Sequence, residues 1–150
     1  MALRRSFISL TLVAVLVSSF AGIAAASTPS GRAARARMLH LVNGSRHANG
    51  RSYLGLNYRL SGFAWQHTTR MAAAGSLYHT ANVWREVRPF GAHAWGENVG
   101  VSGATFASME RAFMASPAHR RNILSAHFHH IGIGVRVVRG TIWVTLDFYG

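Results

Sequence analysis

Apolar positions recur along this chain with two periods, and each change of period marks a new element. In GRAARARMLHLVNGSRHANG, which follows a Ser/Pro/Gly-rich lead-in, Met38, Leu41, Val42 and Ser45 stand at i, i+3, i+4 and i+7 with arginines opposite. That is the pattern of an amphipathic helix, and Asn49-Gly50 ends it. A loop through Tyr53 and Leu56 leads to a second helical stretch from about Tyr58 to Ala74, with Leu60, Ala64, His67 and Met71 on one stripe and Gly62 as a local weakness. Gly75 closes it, and Ser76 to Thr80 reads as a capping turn that delivers His79 from a helix C-terminus. Ala81 to Trp95 shows no period and reads as a long loop, after which Trp95 to Val101 forms a short strand carrying Glu97.

A third helix from Gly103 or Ala104 is expected to bury Phe106, Met109, Ala112 and Phe113 and to expose Glu110 and Arg111. It runs into Ser116-Pro117, where a serine cap and a proline at the first helical position start a short fourth helix. That helix buries Ile123 and Leu124, places His119 in its first turn, and turns Arg120, Arg121 and Asn122 to solvent or a neighbouring loop. After Phe128 the period falls to two. Residues 131–138 and Thr141 to Phe148 flank Arg139-Gly140, the pattern of an antiparallel hairpin near the middle of a sheet.

The N-terminus changes the picture by fixing a destination. Arg4 and Arg5 precede an almost wholly apolar run from Phe7 to Phe20, and Ala24-Ala25-Ala26 offers a small-residue cleavage site before Ser27. The run is shorter than the roughly 20 residues of a spanning helix, so residues 1–26 read as a signal peptide and the mature chain as secreted, extracellular or periplasmic, with no transmembrane segment. Residues 27–35 read as a flexible lead-in and 36–150 as one domain.

Charge and cysteine usage narrow the rest. The formal net charge is +12, and loss of Arg4 and Arg5 with the leader leaves +10 on the mature chain. Every cation is arginine and only four acids oppose them: Glu86, Glu97, Glu110 and Asp147. With no cysteine, packing rather than disulfides must hold the fold, and a cysteine zinc site is excluded.

Four of the nine histidines fall between Ser116 and Gly134. His119, at a helix-sheet junction, suits metal ligation or proton transfer, or else a helix-end imidazole held by a backbone carbonyl. His67 lies on an apolar stripe and reads as a satisfied core histidine. Glu97 reads either as a structural carboxylate in a loop or as a site residue. His79 and His119 are placed at opposite helix ends, which favours the neutral, metal-binding form at His119.

The order of motifs, GEN at 96–98, SPAHRRNIL at 116–124, IGIGV at 131–135 and a closing VT strand, resembles the CAP superfamily of cysteine-rich secretory, venom-allergen and pathogenesis-related proteins, in its short bacterial secreted branch. The resemblance spans roughly residues 36–149. It implies an α+β fold, a three-layer α-β-α sandwich around a central antiparallel sheet. It also implies a cleft in which His79, Glu97 and His119 match three of the family's four histidine and glutamate positions. The second family glutamate falls near Ser116, and Leu146 stands where the family carries a glutamine. By that resemblance a divalent metal such as Zn2+ is held by His79 and His119, with Glu97 as a hydrogen-bond partner behind them or a water-mediated ligand.

Three functions compete. The first is a non-enzymatic extracellular binding or effector module for a metal, small ligand, lipid or cell-envelope component. The second is a metal-assisted secreted hydrolase using His79, Glu97 and His119 as its catalytic residues. The third is charge-driven attachment to anionic polymers at the cell surface. Specific nucleic-acid binding is disfavoured, because the arginines are dispersed and not interleaved with aromatics as a base-stacking platform requires.

Overall fold

The computed structural model describes residues 31–150, so the leader read over 1–26 lies outside the described residues. Helix α1 (Gly31–Ala48) buries Ala34, Met38, Val42 and Arg46, one residue per turn along a single row. Ala34 belongs to that row, so the lead-in expected over 27–35 is helical in its five described positions, 31–35. Helix α2 (Tyr58–Ala74) starts at Asn57, whose Oδ1 accepts the Leu60 N–H at 2.9 Å, and ends at Gly75.

The segment expected to be a long loop contains helix α3 (Val83–Val87) and a 3₁₀ turn, Arg88–Phe90. Asn82 Oδ1 caps α3 through the Arg85 N–H at 3.0 Å, and Val83 and Val87 are its two buried residues. Five residues are too few to display a helical period, which is why the pattern along the chain missed it. Helix α4 (Phe106–Ala115) opens with a Thr105–Ser108 capping box. Two expectations for it are overturned: Ala112 is exposed, and Glu110 is buried. Glu110 Oε1 accepts the Ser45 hydroxyl at 2.6 Å, so the carboxyl faces α1 rather than water. Helix α5 (Pro117–Leu124) starts on Pro117 without a side-chain bond from Ser116, and Asn122 is half-buried against the sheet.

Strands β1 (Gly55–Leu56), β2 (Trp95–Ser102), β3 (His130–Val138) and β4 (Thr141–Tyr149) form one sheet in the order β1-β3-β4-β2. The β3–β4 hairpin is central, as its pattern implied, and β2 is an edge paired antiparallel to β4. The two-residue β1 runs parallel to β3 and closes the other edge.

Alternation along β3 and β4 separates two helical layers. Ile131, Ile133, Val135, Val144, Leu146 and Phe148 pack with Met38, Val42, Phe113 and Ile123, which puts α1, α4 and α5 on one face. On the other face α2 lies almost on the backbone of β3. A Cβ at Gly132 would meet Leu60, and one at Gly134 would strike the Ala64 backbone. Thr68 Oγ1 donates to Thr145 Oγ1 at 2.8 Å across the same contact. The result is the three-layer α-β-α sandwich.

Arg46 locks one end of it. Fully buried, it donates from Nε to Ser52 O at 2.7 Å and from Nη1 to Ile123 O at 2.7 Å and Ser125 O at 3.0 Å. Nη2 reaches Phe128 O at 3.3 Å. A rigid fork thereby ties α1 to the loop before β1 and to the end of α5. Among the described residues no helix is long and apolar enough to cross a membrane.

Candidate functional site

Edge strand β2 presents different chemistry to each layer. Glu97 and Val99 stand opposite Asp147 and Thr145, on the face covered by α2, while Asn98 stands opposite Leu146 on the α5 face. On the α2 side, His79 Nδ1 lies 2.7 Å from Glu97 Oε1, which also accepts the Thr80 N–H at 2.9 Å. The shared acceptor requires that Nδ1 carry a proton, so in the neutral ring the lone pair is on Nε2. The His79 side chain is 63% exposed while that of Glu97 is 3% exposed, so a buried carboxylate aims a ring that faces solvent. His79 stands five residues beyond Ala74, outside the last turn of α2.

His119 comes from the opposite layer. Its ring packs edge-on against Phe113 at 5.1 Å between centroids, and its carbonyl accepts Asn98 Nδ2 at 3.1 Å. Asn122 Nδ2 donates to Asn98 Oδ1 at 2.8 Å and to Glu97 O at 3.1 Å, stitching α5 to the edge strand. Gly96 makes room for this, since a Cβ there would sit 2.9 Å from Asn122 Oδ1. The His119 pKa lies below its ordinary value because of burial first and the nearby His79 charge second. The expected direction therefore holds, with desolvation as its cause in place of the helix dipole.

His67, expected to be a core histidine, is buried on the α2 stripe, and its Nε2 meets Tyr78 O at 2.8 Å. It also lines a cavity of about 350 Å³ with His79, Thr80, Arg70 and Glu86.

Two carboxyls at this site escaped the reading of the chain. Asp147 is fully buried opposite Glu97, and Glu86 is half-buried on α3. Taken as charged acceptors, Glu97 Oε2, Glu86 Oε2 and both Asp147 oxygens have no donor among the described residues. Burial holds the Asp147 pKa well above its ordinary value, reinforced by the charges of Glu97 and Glu86 and by a hydrogen bond to Glu97. Asp147 therefore keeps its proton and donates it to Glu97, which relieves two adjacent acceptors. Glu86 is raised as well, by burial first and then by Glu97, with Arg70 opposing. A lone acid inside the apolar pattern of β4 was the signal available for Asp147. Leu146 points the other way, into the main core.

Among the described residues no group of three histidine, aspartate or glutamate side chains is arranged to hold a metal ion. The site offers two imidazoles and a carboxylate already committed to orienting one of them.

Comparison with known proteins gives this geometry a family. A 55-residue stretch is 44% identical to YkwD of Bacillus subtilis, covering 37% of this chain and 21% of that protein. An extracellular protein containing an SCP domain from Bacillus anthracis superposes with a TM-score of 0.65 at 18% identity, over 79% of this chain and 41% of that one. An outer surface protein of Borrelia burgdorferi superposes at 0.71 and 12% identity, over 81% of this chain and 95% of that one. The chain thus spans only about a fifth of YkwD and two fifths of the anthracis protein. The model of the cysteine-rich secretory protein family matches residues 39–148, a span that holds every residue of the cleft, and the chain belongs to that family, CAP.

Proposed function

We propose that this CAP domain is an exported, non-enzymatic binding module whose His79–His119 cleft takes a divalent cation, and with it a small ligand, lipid or cell-envelope component. The observation that carries the reading is the His79–Glu97 contact of 2.7 Å, in which a buried carboxylate fixes an exposed imidazole with Nε2 free. A carboxylate behind the ring is the usual arrangement for a metal-binding histidine. His119, whose neutral form burial favours, supplies a second imidazole suited to ligation. Two protein ligands fit a weak zinc site completed by water, not a closed structural one. Bound there, the ion supplies a positive centre for a ligand's polar group, while His79 and His119 hold it and Glu97 and Asp147 keep His79 oriented.

Export is supported by the leader-like residues 1–26 and by relatives described as extracellular and outer-surface proteins. Mass spectrometry of protein from the culture medium is expected to find Ser27 as the first residue. A chain retaining Arg4 would end that part of the reading.

The hydrolase alternative gains one observation, since Glu86 lines the cavity beside His79 and burial raises its pKa toward the range of a general acid. Calorimetric titration of zinc separates the readings. Wild type is expected to bind at about micromolar Kd, and His79→Ala and His119→Ala each to lose at least about tenfold. Equal binding by all three disposes of the metal site, and zinc-dependent hydrolysis abolished in Glu97→Gln establishes an enzyme.

A further inference from the structure

The exposed face of α2, away from the histidine cleft and sharing no residue with it, carries an arrangement that packing does not explain. Tyr58, Gly62 and Trp65 stand at i, i+4 and i+7, one above the other on a single stripe. Tyr58 is 71% and Trp65 44% exposed. A Cβ at Gly62 would meet nothing within 4 Å, so neither a turn nor a close neighbour demands glycine there. Interior helical glycine is unfavourable relative to alanine, so its presence calls for another reason. It leaves the floor open between two aromatic walls, and this groove of about 300 Å³ is bounded on its α1 side by Arg32 and Arg35.

The charges around the groove are of one sign. The Arg35 guanidinium lies 5.6 Å from the Tyr58 ring centroid, and that of Arg136 lies 5.6 Å from the Trp65 centroid. Arg136 Nε is buried and has no acceptor among the described residues. Among the described residues no acid lines the groove, since Glu86, Glu97 and Asp147 gather at the cleft and Glu110 faces α1.

We infer that this groove binds an acidic glycan, the Tyr58 and Trp65 rings stacking on sugar faces while Arg35 and Arg136 take its anionic groups. Two helical turns set the backbone positions of Tyr58 and Trp65 about 10 Å apart along the helix. That is the separation of alternate sugar rings in an extended chain and too wide for consecutive stacked bases. Guanidinium groups supply the planar fork that carboxylates and sulfates match.

The test uses the mature chain with four immobilised probes: oligogalacturonate, a heparin-derived oligosaccharide, a neutral maltooligosaccharide and a single-stranded oligonucleotide. At least one acidic glycan is expected to bind, and the neutral one not. Trp65→Ala is expected to weaken that binding about tenfold, with Trp65→Phe restoring most of it. Gly62→Gln is expected to weaken it comparably while raising the melting temperature, a pairing that a merely structural glycine cannot produce. Arg111→Ala, on the other helical layer, is the control and is expected to bind within about twofold of wild type. The inference is overturned if neither acidic glycan binds, if the neutral glycan or the oligonucleotide binds as well or better, if Gly62→Gln binds normally, or if Arg111→Ala loses as much as Trp65→Ala. The histidine cleft is untouched by these variants, so failure here leaves the zinc titration to stand or fall alone.

Discussion

Asp147 is the residue with the largest conflict between chemistry and position. A carboxyl with no exposed surface, facing Glu97 across the β2–β4 pair, is stable there only with its proton. The folded chain therefore holds a proton that the unfolded chain releases above the ordinary aspartate value of 3.8. Its contribution to stability is fully present below 3.8 and declines as pH rises toward the raised folded value. An asparagine in its place would offer Glu97 a donor with no proton to bind. Asp147→Asn is accordingly expected to match wild type near pH 4 and to gain on it by about 1.4 kcal/mol per pH unit above that for as long as folded Asp147 keeps its proton, read from melting curves of both proteins at each pH. The difference between the curves cancels the opposite slope from His119, whose lowered pKa withdraws stability as pH falls below 6.5. A pH-independent difference would mean that folding does not raise the Asp147 pKa. For the site, the same substitution should leave zinc binding within about threefold, because Glu97 keeps its bond to His79.

Elements were legible wherever a period had room to repeat. Helices α1, α2, α4 and α5 and the β3–β4 hairpin follow directly from apolar spacing and turn residues, whereas the gathering of His79, Glu97 and His119 was implied by the family resemblance and not by spacing. What stayed hidden depends on partners distant in the chain. Glu110 looked exposed because helical spacing ranks it with Arg111, yet α4 also touches α1, and Ser45 turns that side of it into an interior. Glu86 lay on a helix too short to see, and the pairing of Asp147 with Glu97 follows from strand register, which alternation alone does not fix. The glycines of IGIG marked a strand without showing that α2 rests on them. Gly134→Ala sets a methyl against the Ala64 backbone, where no rotamer can yield, and is expected to cost about 3 kcal/mol or to prevent folding. Arg46 is the polar counterpart. Arg46→Lys retains charge but not the fork that serves four carbonyls, and denaturant titration should show a loss of about 2–4 kcal/mol. A loss within about 0.5 kcal/mol would make Arg46 an ordinary surface arginine, which its burial contradicts.

At the scale of the whole molecule, composition and fold together separate the charges. Glu97, Glu110 and Asp147 are buried and Glu86 is half-buried, while Arg46 is the one described arginine with no exposed surface. The solvent-facing surface is therefore almost purely cationic, a stronger condition than the net charge of +12 conveys. Two consequences follow, with opposite signs in salt. Like charges over the whole surface repel one another in the compact state, and added salt screens that repulsion. Attachment to a polyanion depends on the same charges and is weakened by the same screening. Raising sodium chloride from about 0.02 to 0.3 M shortens the screening length from roughly 20 to 6 Å, so the melting temperature is expected to rise by a few degrees over that range. Over the same range, retention on a heparin column is expected to fall steeply. Sodium sulfate would confuse the first measurement, because it also strengthens apolar burial, so chloride is the salt of choice. Thermal stability that falls with chloride would show that attractive surface pairs outweigh repulsion, and heparin retention insensitive to chloride would place recognition in contacts other than charge.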